Sequence, residues 1–256
     1  MRDYLAEIVA QKRDIVKAAK EQLPLKELKE QVEKGTFAMC SQFQKREWSL
    51  IAECKLQSPS KGKFNHPYSV LELARMYEKN GASMLSIHTD PHFLGKNEDL
   101  VEVRRSVKIP LLRKDFIIDE YQIYEARMLG ADAVLLIARI LEQKQLEDYL
   151  NLTWSLGMDA LVEVHDREDM VKAMKTPAKF IGINNRNLKL FKTTIDNTLE
   201  LLPFVEDNRT VISESGIHTA DEARMLHEAG VDGILVGEGL STAKDVEKAT
   251  REFALL

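Results

Sequence analysis

PLLRKDFIIDEYQIYEARMLGADAVLLI, residues 110–137, holds the pattern on which the fold turns. It opens with an apolar run at 110–114, closes with another at 132–137, and sets a helix-length segment ending at Gly130 between them. Strand, helix and strand with glycine at the joint is the unit of a parallel sheet, whose strands are covered on both sides and so are apolar on both faces. The same unit recurs outward in both directions. Candidate strands fall at 49–55, 83–88, 110–114, 132–137, 159–164, 179–184, 210–214 and 232–237. The segments between them carry helix punctuation. Ser69 opens a run in which Val70, Leu73, Ala74 and Tyr77 share one face, and Asn80-Gly81 ends it. Thr219 and Glu222 have capping-box spacing ahead of a helix that stops at Gly230, and Gly157 closes the helix before the fifth strand. Strict alternation implies a parallel sheet. Eight units within 256 residues favour closure into a barrel over an open sheet. The expectation is an α/β chain folded as a (βα)8 TIM barrel.

Residues 1–46 read differently. Leu5, Ile8, Val9, Ile15, Val16 and Ala19 recur at helical spacing with charged residues between them, Pro24 interrupts, and 25–34 resumes the pattern until Gly35. Two helices capped by an irregular stretch at 41–46 are predicted, forming an N-terminal helical extension (1–46) that packs on the barrel (47–256).

The formal charge of −5, with both signs abundant, gives no general attraction to nucleic acid or to acidic membranes, so any phosphate must be held locally. Cys40 and Cys54 stand in apolar sequence without a second cysteine nearby, which argues against a disulfide framework or a thiolate metal site and for a reducing compartment. The first residues, MRDYLAEIVAQKRD, make no signal peptide, and the longest apolar stretch, 133–138, is too short to cross a bilayer. A cytoplasmic protein is expected.

In such a barrel, chemistry sits at the C-terminal ends of the strands. There the first strand carries Glu53 and Lys55 on the parity of inward-facing Ile51, and the third ends at Lys114. The fifth ends near Glu163, the sixth at Asn184 and the seventh at Glu214. Each charge follows apolar residues directly. Taken singly, these are charges where strands meet solvent or form structural ion pairs. As a set they are partly desolvated acids and bases aimed at one mouth, which suits proton transfer. Ser215-Gly216 follows Glu214, and Gly237-Glu238-Gly239 follows the last strand, where barrels of this kind place a phosphate against backbone N–H groups and a short helix. Ser58 and Ser60 in the first loop can close over the same group. Arg186 can bind a carboxylate or stand as a solvated loop charge. His88 and His92 are four apart, but Pro91 rules out a regular helix and so a metal pair, and His165 is read as a surface or capping histidine. No nucleotide-binding glycine loop is present.

These residues resemble the indole-3-glycerol-phosphate synthase family. The resemblance rests on IAECKLQSPSKG at 51–62, LLRKDFIIDEYQIYEAR at 111–127, GADAVLLIARIL at 130–141, LVEVHD at 161–166, IGINNRNL at 181–188, ISESGI at 212–217 and LVGEGL at 235–240. It implies decarboxylating closure of an indole ring on carboxyphenylamino-deoxyribulose 5-phosphate, a small phosphorylated substrate, in tryptophan biosynthesis, with no cofactor and no metal. A monomer is also implied. By the same resemblance Lys114 is the acid that protonates the ketone, and Lys55 lies near the substrate carboxylate and acts as water leaves. Glu163 and Glu53 are the candidate bases, while Glu214 and Asn184 orient lysines and hydroxyls. Ser58, Ser215, Gly216, Gly237 and Glu238 surround the phosphate, and Phe116 lines the aromatic pocket. The stretch after the second strand departs from the family pattern: Phe93 is kept, Leu94 replaces a second aromatic, and Lys96 and Asn97 replace small residues.

Two other readings stay open. A sugar-phosphate isomerase, such as one acting on phosphoribosylanthranilate, explains the last two loops but not both lysines with Glu53 and Glu163. A non-catalytic phosphate-binding barrel leaves the inward charges without a purpose.

Overall fold

The computed structural model describes residues 4–58, 62–64, 66–186 and 193–256. Eight parallel strands close into a barrel: β1 (Ser49–Cys54), β2 (Met84–His88), β3 (Leu111–Lys114), β4 (Ala133–Ile137), β5 (Asp159–Val164), β6 (Phe180–Asn184), β7 (Thr210–Glu214) and β8 (Gly233–Val236). Neighbours in sequence are neighbours in the sheet, and β8 returns to pair with β1. The expected strands all form, with ends trimmed by a residue at several places. Their outward faces pack against the crossover helices in one continuous cluster, which is why the runs are apolar on both sides. The capping box expected at Thr219/Glu222 forms and opens α6 (Ala220–Glu228), and the helix start read at Ser69 is a second such box, with Glu72, opening α4 (Val70–Lys79).

The barrel interior is built by parity. One residue from each strand, Ile51, Met84, Leu112, Leu135, Leu161, Phe180, Ile212 and Leu235, points inward and joins a single buried cluster. Two residues further along each chain the inward position returns. There, except at Ile137 on β4, the apolar layer gives way to Glu53, Ser86, Lys114, Glu163, Gly182, Glu214 and Gly237. That change of layer creates the site.

The N-terminal segment corrects the sequence reading in three places. First, α1 (Tyr4–Gln22) forms, but its buried stripe is Ile8, Lys12 and Val16, while Ile15 is exposed. Second, α2 (Leu25–Glu30) stops short of the expected 25–34. Third, the stretch expected to be irregular at 41–46 is so only from Gln44, its first half being the end of a short helix, α3 (Ala38–Phe43). This helix plugs the N-terminal end of the barrel: Met39 and Phe43 join the interior cluster, and Phe43 meets Phe180 edge-on with ring centres 5.3 Å apart. The Cys40 amide donates to Asp159 Oδ2 at 2.9 Å, fixing the plug to the start of β5. Burial of Met39 and Phe43, rather than intrinsic propensity, makes those six residues helical. Among the described residues no helix is long and apolar enough to cross a membrane.

Candidate active site

Lys114 stands between two acids. Its Nζ donates to Glu163 Oε2 at 3.1 Å and to Glu214 Oε2 at 2.7 Å, and the Asn184 amide donates to the same Glu163 oxygen at 3.2 Å. Lys55 Nζ lies 3.2 Å from Glu53 Oε2. The expected six, Glu53, Lys55, Lys114, Glu163, Asn184 and Glu214, therefore meet at one mouth. Glu53, Glu163 and Glu214 are only 3%, 4% and 1% exposed, so their pairing is with protein charges in a dry setting.

Two glycines in the same layer make room for the carboxylates. A Cβ on Gly182 would overlap Glu214 Oε1, and a Cβ on Gly237 would overlap Glu53 Oε2. Gly237 was expected only at a phosphate. Its position beside Glu53 and Lys55 joins the acid–base cluster to the rim formed by the last loop.

Protonation follows from this packing. Burial works against the Lys114 charge, but Glu214, Glu163 and Glu53 outweigh it and hold the ammonium well above the ordinary lysine range. Burial alone would raise Glu163. Lys114 and His165, with hydrogen bonds from Lys114 and Asn184, instead bring it down to about 2. Glu214 goes the other way, raised to about 7 by burial and by the neighbouring Glu163 against the pull of Lys114. Glu53 is held well below the ordinary carboxylate range, burial being overcome by Lys55, His88 and Lys114.

Several partners escaped the sequence reading. His88 is inward-facing on β2 and its Nε2 lies 2.9 Å from Glu53 Oε1. Its ring stacks on Phe93 (centres 4.5 Å apart, planes 12° apart), and Phe93 stacks in turn near Phe116 at 6.3 Å. The shared parity with Met84 was the available signal. His165 is buried rather than on the surface: its Nε2 is 3.4 Å from Glu163 Oε1, because Glu163 needs a neighbour on its second oxygen inside the barrel. Leu94 is exposed in a left-handed turn (φ 59°) and takes no part in the stack. Lys96 precedes α5 (Asn97–Arg104), and the Asn97 side chain accepts from Arg113 at 3.2 Å.

At the rim, Ser215 and Gly216 are consecutive left-handed residues (φ 67° and 70°) that turn the chain sharply after β7. Such a conformation at a non-glycine residue is costly and clusters at functional sites. Asn185 Nδ2 donates to the Ser215 carbonyl at 2.9 Å. Arg186 bridges to Thr193, and a Cβ on Gly216 would press on that same threonine, so Arg186 and Gly216 flank one residue. Glu238 opens the short helix α7 (Glu238–Ser241), whose Ser241 hydroxyl donates to the Lys55 carbonyl at 3.1 Å. Phe116 packs on the interior cluster. Ser60 and the side chain of Ser58 lie outside the described residues.

A closed parallel barrel with paired lysines and acids at its C-terminal mouth defines a barrel enzyme of acid–base type. The comparisons narrow this. The family profile described as indole-3-glycerol phosphate synthase matches residues 5–253. A protein of that name from Alkaliphilus metalliredigens (strain QYMF) is 42% identical over 253 residues, covering 97% of each chain. One from Carboxydothermus hydrogenoformans is 42% identical over 257 residues, covering 96% of this chain and 97% of that protein. Among solved structures, 3-hexulose-6-phosphate synthase from Salmonella typhimurium superposes with a TM-score of 0.65 at 13% identity, over 81% of this chain and 97% of that one. Thiamine phosphate pyrophosphorylase from Pyrococcus furiosus does so with a TM-score of 0.59 at 19% identity, over 82% of this chain and 95% of that one; these two likenesses speak for the barrel alone. The chain belongs to the indole-3-glycerol phosphate synthase family, the carboxy-lyases that make the indole skeleton in tryptophan biosynthesis.

Proposed function

We propose that this chain closes the indole ring of carboxyphenylamino-deoxyribulose 5-phosphate with Lys114 as the proton donor at the ketone. The observation that carries the proposal is the Lys114 ammonium bridging Glu163 and Glu214 opposite the Lys55–Glu53 pair. The ring carbon bearing the carboxylate attacks the ketone carbon, the ketone oxygen takes a proton from Lys114, and carbon dioxide leaves as the ring recovers its aromaticity. Water is then lost from the resulting alcohol with a proton from the carbon beside the nitrogen. Lys55, nearer the rim, attracts the substrate carboxylate and supplies the proton with which that water departs.

The acid and base steps are coupled through charge. With Lys114 protonated, Glu163 is a poor base, held at about 2. Once Lys114 has given its proton to the substrate, that cation no longer holds Glu163 down, and its basicity rises as the second proton must be removed. Glu53 is occupied on both oxygens, by Lys55 and His88, and is better suited to holding Lys55 than to taking a proton. Glu214 and Asn184 orient Lys114 and Glu163. The phosphate sits at Ser215, Gly216 and Gly237 with the backbone N–H of Glu238, whose carboxylate must turn away from an anion, and Ser58 belongs to the same end as the family resemblance implies; Arg186 serves the substrate carboxylate. The aromatic ring lies along Phe116.

Incubating the purified protein with this substrate and following indole fluorescence tests the reading. Product formation supports it. Consumption of phosphoribosylanthranilate instead, or of neither compound, would point to the isomerase or to a ligand-binding barrel.

A further inference from the structure

We propose that His88 is a positioning residue of this site, fixing Glu53 and Phe93 together and thereby setting where the Lys55 ammonium stands. The inference rests on the reading that Lys55 acts on substrate. His88 closes β2 on the inward parity, in register with Lys114 on β3. It is buried, with its Nε2 2.9 Å from Glu53 Oε1. An ionised carboxylate only accepts, so Nε2 carries the hydrogen. Lys55 takes the other oxygen, Oε2, at 3.2 Å. Because His88 occupies Oε1, Lys55 stands at Oε2, beside Gly237 and the rim. The same imidazole stacks on Phe93, and Lys55 Nζ lies 5.5 Å from the centre of that ring. One side chain thus braces the carboxylate that holds Lys55 and the ring that Lys55 faces.

The groups around Glu53 fix the sign of the pH effect. Lys55 and the buried Cys54 thiol neighbour it on β1, His88 faces it from β2 and Lys114 from β3. Tyr77 lies behind it on α4, the uncharged Gly237 follows β8, and α7 presents the Ser241 hydroxyl to the Lys55 carbonyl. Of these, Lys55, His88 and Lys114 favour the ionised form, so losing the His88 donor makes Glu53 easier to protonate.

The test is steady-state kinetics across pH for H88F and H88Q. H88F keeps a ring and loses the donor. We expect kcat to fall by up to about a hundredfold, KM to stay within about threefold, and the acidic limb of the pH–kcat profile to move to higher pH. H88Q keeps a donor at similar reach but neither the ring nor the electrostatic pull of the imidazole, so its acidic limb moves less than that of H88F and its kcat recovers part of the loss. H88F with wild-type kcat and an unmoved acidic limb, differing only in stability, overturns the proposal. If H88F does not fold, H88Q decides: a partial fall in kcat with the acidic limb displaced to higher pH supports the assignment, and wild-type kcat with an unmoved limb overturns it. K55A, measured in parallel, separates the two layers of the argument. Wild-type turnover in K55A sinks the role of Lys55 itself, whereas an inactive K55A beside a wild-type-like H88F sinks only the role of His88.

Discussion

Glu163 and Glu214 share one ammonium and end with opposite protonation behaviour. Both are buried on Lys114, but Glu163 gains Asn184 and His165 as further neighbours, while Glu214 Oε1 lies buried against Gly182 without a hydrogen-bond partner among the described residues. Glu214 is therefore the acid that keeps its proton, up to about 7 against an ordinary 4.5. A carboxyl raised in the folded state contributes stability that is complete below its unfolded value and is lost as pH rises through the folded one. Relative to Glu214→Gln, wild type should lose on the order of 3 kcal/mol between about pH 4.5 and about pH 8. Urea denaturation at a series of pH values checks this, and a pH-independent difference between the two proteins would contradict it. Parity along the strands made Glu53, Lys114, Glu163 and Glu214 legible in the sequence. His88 and His165 share that parity, but their part in the site was not legible, because it lies in a contact with Glu53 across neighbouring strands and with Glu163 along the chain that only the fold brings about.

Elements divide in the same way. Strands buried on both faces announce themselves as short apolar runs, and the capping boxes at Ser69 and Thr219 mark helix starts by local chemistry alone. The plug helix α3 had no such mark, since its helical form depends on a barrel floor assembled from residues far along the chain. Lys12 escaped for a related reason: on α1 it looks like part of the polar face, yet it falls between Ile8 and Val16 on the buried stripe. Its ammonium lies 2.7 Å from Asp90 Oδ2 and 2.7 Å from Asp115 Oδ1, binding the extension to the loops after β2 and β3. Lys12→Met should cost up to about 3–5 kcal/mol, because it removes the cation shared by two buried carboxylates and leaves Asp90 to His92 and Asp115 to Arg113 and Thr89. A shift in the urea midpoint measures that, and a cost under about 1 kcal/mol would show that the aspartates find other partners.

For the molecule as a whole, eight βα units close a cylinder whose inward layer is apolar on every strand and, two residues further on, carries an acid or a lysine on β1, β3, β5 and β7. The closure is what makes the chemistry available: residues as far apart in sequence as Lys55 and Glu214 share a mouth only because β8 returns to β1. The family and its reaction were legible because the motifs sit at strand ends, where fold and chemistry constrain the same residues. The account depends most on Lys114 as the group that protonates substrate. Its most direct test is the single-turnover rate of Lys114→Ala, measured on folded protein alongside the dissociation constant of the substrate. The account predicts a rate lower by about 10²–10⁴ with affinity changed only a few-fold, and a near-normal rate at saturating substrate would contradict it.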